Sequence, residues 1–485
     1  MLKSFIFYER SILIGIFMAM EAAETGVRGT TKSEILCLSL IVTFGLILYL
    51  YLLTRYALVY GMDGPYYLIQ VRNILETGRL RYEDPPLAHY IFTFFTLLFG
   101  GNITLGVKVG TALFSALSAV PFYFWVRNVA KSQLSSCIAA LACILSSLHV
   151  LMMNNYLKMV VGTLFLLCFL YYLHCMLTGR WGISTLLPAA ISLILVGVTH
   201  AVVFLIAFLF LIVYAITFRL LWARQKEIIR NLEILFIIAF FIIIVAPLIS
   251  PFFFRDYYQG IDLALSPFYR FRPITITSTD ILRSFITDYM SGAIVLAAII
   301  FGIILLVYEM RHKRKEAVLA LTSVTVIGIL VLLISLLIPI EWIWRFLYME
   351  FIIIAFIIGY GFSKIQGRVA VLALALFLCF SPIIAQTFNA SRTLMPTISE
   401  EDYKEIEIMK QYIPPKSIIF ASPFYAYWIE YITRTDTTFM FFFEFRRYEH
   451  ILVLVDKLFP PTTTFNATML FEGKRFILYE IKPIM

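Results

Sequence analysis

What this chain has least of is charge: Asp, Glu, Lys and Arg make up 14% of its 485 residues, while 61% are hydrophobic. A water-soluble core of that length cannot hide so much apolar surface, so a wholly soluble protein is excluded and an α-helical polytopic membrane protein is expected. Cysteine is scarce as well. All six, Cys37, Cys137, Cys143, Cys168, Cys175 and Cys379, fall inside apolar runs without metal-ligand spacing, so they imply neither a disulfide framework nor a metal site. No internal repeat or low-complexity tract is visible, which weakens an inverted-repeat transporter reading. The formal net charge is +9, but the basic residues lie in short clusters between apolar runs and do not form one face. Nucleic acid is therefore not an expected partner, and anionic membrane lipids are.

What is present is a succession of apolar segments. About eleven meet the length needed to cross about 30 Å of hydrocarbon: 35–59, 105–126, 134–152, 160–177, 183–198, 202–221, 234–254, 292–308, 318–338, 346–362 and 369–388. Basic residues cluster in alternate loops, as Arg127 and Lys131, Arg180, Arg219 to Arg230, Arg311 to Lys315, and Lys364 with Arg368. The positive-inside rule then places the N-terminus in the cytoplasm and the C-terminus outside. Residues 1–33 are read as a cytoplasmic or interfacial segment, 34–388 as the transmembrane domain, and 389–485 as an extracytoplasmic α/β domain with a helix at 399–412 and strands at 417–421 and 475–481. Three sequons, at Asn102, Asn389 and Asn466, fall on the outer side of this arrangement.

The polar residues that a membrane protein does not need for folding also fall on that side. The loop at 60–102 carries Asp63, Glu83 and Asp84. Asp63 follows the first span almost at once, and Gly64-Pro65 turns the chain into a helix, which fixes a carboxylate at the membrane boundary. Such a group can take a proton from an acceptor hydroxyl or bind a divalent cation, and it can also serve simply as a helix cap. Glu83 and Asp84 precede Pro85-Pro86, where proline holds the residue before it in an extended conformation. Lys158 stands at the outer mouth of one span, His200 in the turn between two others, and Arg345 among aromatics at the start of a late span. A guanidinium there either anchors the helix in the interface or clamps a lipid phosphate by paired hydrogen bonds.

At these residues the chain resembles the GT-C superfamily of membrane glycosyltransferases. Met62-Asp63-Gly64-Pro65-Tyr66-Tyr67, a G-x-L-x-Y stretch at 78–82 and Pro85-Pro86-Leu87 resemble the first outer loop of protein O-mannosyltransferases and bacterial aminoarabinose transferases. Tyr156-Leu157-Lys158, Thr199-His200 and Arg345-Phe346 look like segments of archaeal members. The resemblance implies sugar transfer from a polyprenyl- or dolichyl-phosphate donor to a protein, lipid or glycan acceptor at the outer leaflet, with inversion at the anomeric carbon. It implies Asp63 as the base or the residue that orients the acceptor, Arg345 and Lys158 as the donor phosphate site, and Tyr66 and His200 as further candidates for the site. Where protein O-mannosyltransferases carry Asp-Glu, this chain has Asp63-Gly64, so a second carboxylate is expected from Glu83 or Asp84. Residues 152–158 contain no acid, which weakens an oligosaccharide transferase and an obligatory metal; no cofactor is firmly implied and a divalent metal is left open. The competing expectation is a transporter or flippase for a lipid-linked or anionic solute.

Overall fold

The computed structural model describes residues 31–179, 182–222, 225–250, 252–255, 257, 290–338, 340–365, 369–439, 447–459 and 467–481. The interfacial segment expected at the N-terminus lies almost wholly outside them, as do the outer loop at 258–289 and the sequon at Asn466.

Helix α1 (Lys32–Thr54) opens on a capping box, Thr31 with Glu34. Two short helices follow, α2 (Gly64–Thr77) and α3 (Leu87–Leu98). Their starts match the proline signals, since proline tolerates the first turn, where its missing N–H has no partner to lose. The bundle continues with α4 (Ile103–Leu117) and α5 (Ala119–Ala130), then α6 (Gln133–Ile144) and α7 (Ser147–Asn155), each pair forming one span with a break in the middle. At the first break the Ser118 hydroxyl donates to the Ser115 carbonyl at 2.6 Å, a side-chain bond that competes with the helical ladder.

Next come α8 (Leu157–Leu177), α9 (Ile183–Gly197), α10 (Ala201–Leu221) and α11 (Lys226–Phe240), the last running on through a π turn to Ile249. After 290 the bundle is completed by α12 (Met290–Arg311), α13 (Lys315–Leu337), α14 (Ile340–Leu347) with α15 (Glu350–Phe362), and α16 (Val369–Thr393).

Among the described residues ten helical stretches are long and apolar enough to cross a membrane, and the chain is a multi-pass membrane protein. The eleventh expected span is α9, whose 15 residues give a rise of only about 22 Å, short of the hydrocarbon thickness. Helix α8 is the most deeply enclosed span and α16 the most peripheral. An apolar helix enclosed on all sides belongs at the centre of a bundle, and α8 carries Lys158 at its N-terminal end.

The last span runs past Asn389 to Thr393, beyond the boundary read from composition. The outer domain then holds α17 (Glu400–Met409), capped by Ser399, and α18 (Ala426–Thr433) beside a five-stranded sheet. Its strands are β1 (Ser417–Phe420), β2 (Asp436–Thr438), β3 (His450–Asp456), β4 (Ala467–Glu472) and β5 (Phe476–Ile481), in the order β2-β1-β3-β5-β4. β2 and β3 flank β1 in parallel, and β5 pairs antiparallel with β3 and β4. Arg475 ties α17 to the sheet through Asp402 at 2.5 Å and Asp456 at 3.0 Å. The domain rests on the membrane-edge loop, where α18 packs against α2.

Candidate functional site

The site is built where the chain leaves α1. Gly61 has φ +64°, and a Cβ there would lie 2.0 Å from Asn155 Oδ1 and 2.3 Å from the Asn154 carbonyl, so only glycine fits. Its N–H donates to the Met395 carbonyl at 3.1 Å, and the Met62 N–H donates to Asn155 Oδ1 at 2.8 Å. Two bonds therefore fix the backbone just ahead of Asp63.

Asp63 occupies the cap position of α2, yet its side chain makes no capping hydrogen bond. Capping therefore does not explain this carboxylate. It is half-buried, and burial raises its pKa, with Arg345 and Lys158 acting against that rise and Asp84 adding to it. Asp63 and Arg345, expected on the same membrane face, are thus close enough for the guanidinium to act on the carboxyl.

Asp84 is buried at the centre of a second network. Its Oδ2 accepts from the Tyr66 hydroxyl at 2.6 Å and lies 2.8 Å from His89 Nε2, and its Oδ1 pairs with the Lys158 ammonium. An ionised carboxylate only accepts, so His89 Nε2 carries the proton in this contact. Burial opposes ionisation of Asp84, but Lys158 and His89 outweigh it and hold the carboxyl well below the usual range. Tyr66 is pushed well above the ordinary phenol value by burial and by Asp84, and so remains a hydrogen-bond donor. Glu83, by contrast, is exposed and stays outside the network. Adjacent residues of an extended segment point to opposite sides, so turning Asp84 inward turns Glu83 out.

Gln70 clips this loop in place. Its Oε1 accepts from the N–H groups of Arg81 at 2.8 Å and Tyr82 at 3.1 Å, and its Nε2 donates to the Tyr66 hydroxyl at 2.9 Å and the Tyr82 carbonyl at 3.0 Å.

The cationic side of the site comes from the bundle. The Arg345 guanidinium lies 4.5 Å from the ring centroid of Trp342 and 5.6 Å from that of Tyr156, and it forms no ion pair among the described residues. The electron-rich faces of these rings attract the cation. His200 caps α10, its Nδ1 accepting from Val202 N–H at 3.2 Å and Val203 N–H at 3.5 Å. Burial, with Lys158 and Arg345 nearby, holds its pKa well below the ordinary histidine value, so it is neutral here and its hydrogen sits on Nε2.

The structure thus brings together Asp63, Tyr66, Asp84, Lys158, His200 and Arg345, and leaves Glu83 apart. Sequence reasoning missed His89, Gln70 and Asn155. The signal for His89 was its place in Asp84-Pro-Pro-Leu-Ala-His89, one turn into a helix that otherwise reads as apolar.

The fold is that of the GT-C membrane glycosyltransferases. Within that class the chain is similar to ArnT from Cupriavidus metallidurans in the apo state, with TM-score 0.61, 12% identity, and coverage of 91% of this chain and 97% of that one. The same protein bound to undecaprenyl phosphate gives TM-score 0.57 at 11% identity, covering 92% and 98%. The Archaeoglobus fulgidus oligosaccharyltransferase in complex with zinc and sulfate gives TM-score 0.59 at 14% identity over 82% of this chain, which spans 62% of the length of that protein. No protein-family model and no curated protein matches the chain.

A divalent metal fits the described residues poorly. No three His, Cys, Asp or Glu side chains among them come together, both oxygens of Asp84 are already engaged, and Asp63 stands beside two cationic side chains. Hard cations need about six or more oxygen ligands.

Proposed function

We propose that this protein is a glycosyltransferase that moves a sugar from a polyprenyl- or dolichyl-phosphate carrier to an acceptor at the outer face of the membrane, with inversion. The observation that carries the reading is the juxtaposition of Asp63, a carboxylate with no capping bond, and Arg345, a guanidinium that forms no ion pair among the described residues and is near enough to lower the Asp63 pKa. In the proposed reaction the acceptor oxygen attacks the anomeric carbon and the bond from that carbon to the phosphate oxygen breaks. The acceptor proton passes to Asp63, whose raised pKa suits a base, and the electron pair goes to the lipid phosphate. Arg345 and Lys158 stabilise the charge that develops there. Asp84, with Tyr66 and His89, holds Lys158 in place. The N-terminus is inside and the outer domain outside, as the basic loops require. The structure of ArnT with undecaprenyl phosphate supports the class of donor.

Purified protein incubated with radiolabelled polyprenyl-phosphate monosaccharides and cell-envelope acceptors tests this: labelled product is expected, and its absence across the panel rejects the reading. One observation favours transport instead. Glu350 is buried in α15 with both carboxyl oxygens unpartnered among the described residues, and ionisable groups inside spans often mark transport paths. Labelling of loops from each side during turnover separates the two, since alternating exposure belongs to a transporter.

A further inference from the structure

Helix α18 of the outer domain presents one face to the acidic loop. Tyr427, Glu430, Tyr431 and Arg434 recur at the three- and four-residue spacing that lines up one side of a helix, Arg434 being its C-cap. Three of the four have evident docking roles. Glu430 accepts from the Tyr82 hydroxyl and lies 3.6 Å from Arg81 Nε, the Tyr431 carbonyl accepts from Arg72, and Arg434 pairs with Glu76 at 2.8 Å. These bonds fasten the domain to α2 and to the segment after it.

Tyr427 differs. Its ring lies 5.4 Å from Tyr66 and 6.2 Å from Tyr82, centroid to centroid, and Tyr66 and Tyr82 are themselves stacked at 5.7 Å. The hydroxyls of Tyr66 and Tyr82 are committed to Asp84 and Glu430, whereas the Tyr427 hydroxyl takes part in no hydrogen bond among the described residues. It is also near enough to Asp63 that this carboxylate, after burial, helps push the phenol up to about 12. The outer domain therefore places near the proposed base a flat ring, with two further rings beside it, whose hydroxyl is unbonded among the described residues.

Sugar rings expose C–H groups on their faces and hydroxyls around the edge. An aromatic wall with one free hydroxyl matches both, whereas a purely structural ring cluster has no use for the free hydroxyl. We infer that Tyr427 touches substrate: its ring packs on the face of a sugar, and its hydroxyl bonds one of that sugar's hydroxyl groups, so the outer domain supplies part of the active site. This rests on the glycosyltransferase reading. The sugar belongs either to the donor or to a glycan acceptor, and the kinetics distinguish these.

The test uses the full chain in lipid nanodiscs. Tyr427→Ala is expected to raise KM at least tenfold for one substrate, the donor if the transferred sugar is held and the acceptor if a glycan is held. Tyr427→Phe keeps the ring and is expected to lose less. Because Tyr427→Ala could loosen the domain, the wild-type protein is also nitrated with tetranitromethane and its peptides mapped by mass spectrometry. Saturating polyprenyl-phosphate sugar or glycan acceptor is expected to cut nitration of Tyr427 at least fivefold. Unchanged KM in Tyr427→Ala with unprotected Tyr427, in a protein that transfers sugar, overturns this inference and leaves the activity standing. If no sugar is transferred the functional reading fails separately. Protection of Tyr427 by sugar-bearing ligands then still supports sugar contact, and its absence rejects it.

Discussion

Asp63→Asn separates the two roles an aspartate can play at the start of a helix. The substitution keeps the size of the side chain and removes its charge. A capping aspartate would be worth about 1 kcal/mol of stability when replaced by alanine. Here no capping bond exists to lose, so the melting temperature in detergent or nanodiscs is expected to stay nearly constant. Turnover should respond very differently. Removing a general base typically costs about 10²–10⁴-fold in rate, or about 3–5 kcal/mol of barrier. The wild-type pH profile provides a second reading of the same residue. Burial raises the Asp63 pKa, and the base must be ionised to act, so the acidic limb of kcat/KM should lie above the range of an ordinary aspartate. In Asp63→Asn that limb should vanish with the activity. The reasoning fails if the variant keeps more than a tenth of wild-type turnover, or if its activity falls only in step with its stability.

Other perturbations act on neighbouring parts of the site. Arg345→Gln removes a cation that holds the Asp63 pKa down, so any residual activity should show its acidic limb at higher pH than wild type, together with a raised KM for the lipid-phosphate donor; an unmoved limb would break the electrostatic link. Asp84→Asn removes the carboxylate from a buried network, and breaking such a pair costs about 3–5 kcal/mol, which thermal unfolding would register. Because the folded-state pKa of Asp84 is depressed, its contribution is complete above the ordinary carboxylate value, about 3.9, and is lost as pH falls below it; the gap between wild type and variant should be flat from neutral to mildly acidic pH and close only under strong acid. Gly61→Ala places a Cβ 2.0 Å from Asn155 Oδ1 at a left-handed backbone position, with a strain of about 1–3 kcal/mol, and it should reduce activity by displacing Asp63; wild-type kinetics in this variant would show that the backbone grip is dispensable.

Much of this arrangement is legible in the order of residues. Spans announce themselves by length, and the prolines at 65 and 86 mark the starts of α2 and α3. Alternating basic loops were enough to put Asp63, Asp84, Lys158, His200 and Arg345 on one face, where the structure gathers them. Pairing between distant segments is harder to read. Glu83 and Asp84 look equivalent in the sequence, and only the fold turns one toward Lys158 and the other toward water. Gln70 resembles any polar residue of an amphipathic helix until its three hydrogen bonds to the loop and its fourth to the Tyr66 hydroxyl are seen. In the outer domain α18 is short and rich in aromatics, so it carries little helical periodicity, and its role depends on contacts with residues more than three hundred positions earlier.

The hydrogen bond from Gly61 to Met395 joins the exit of the first helix to the segment that follows the last one. A tilt of the outer domain would therefore reach the backbone two residues ahead of the carboxylate at 63. Were the domain lifted, this bond would have to stretch or break, and the grip on the backbone just ahead of Asp63 would loosen with it.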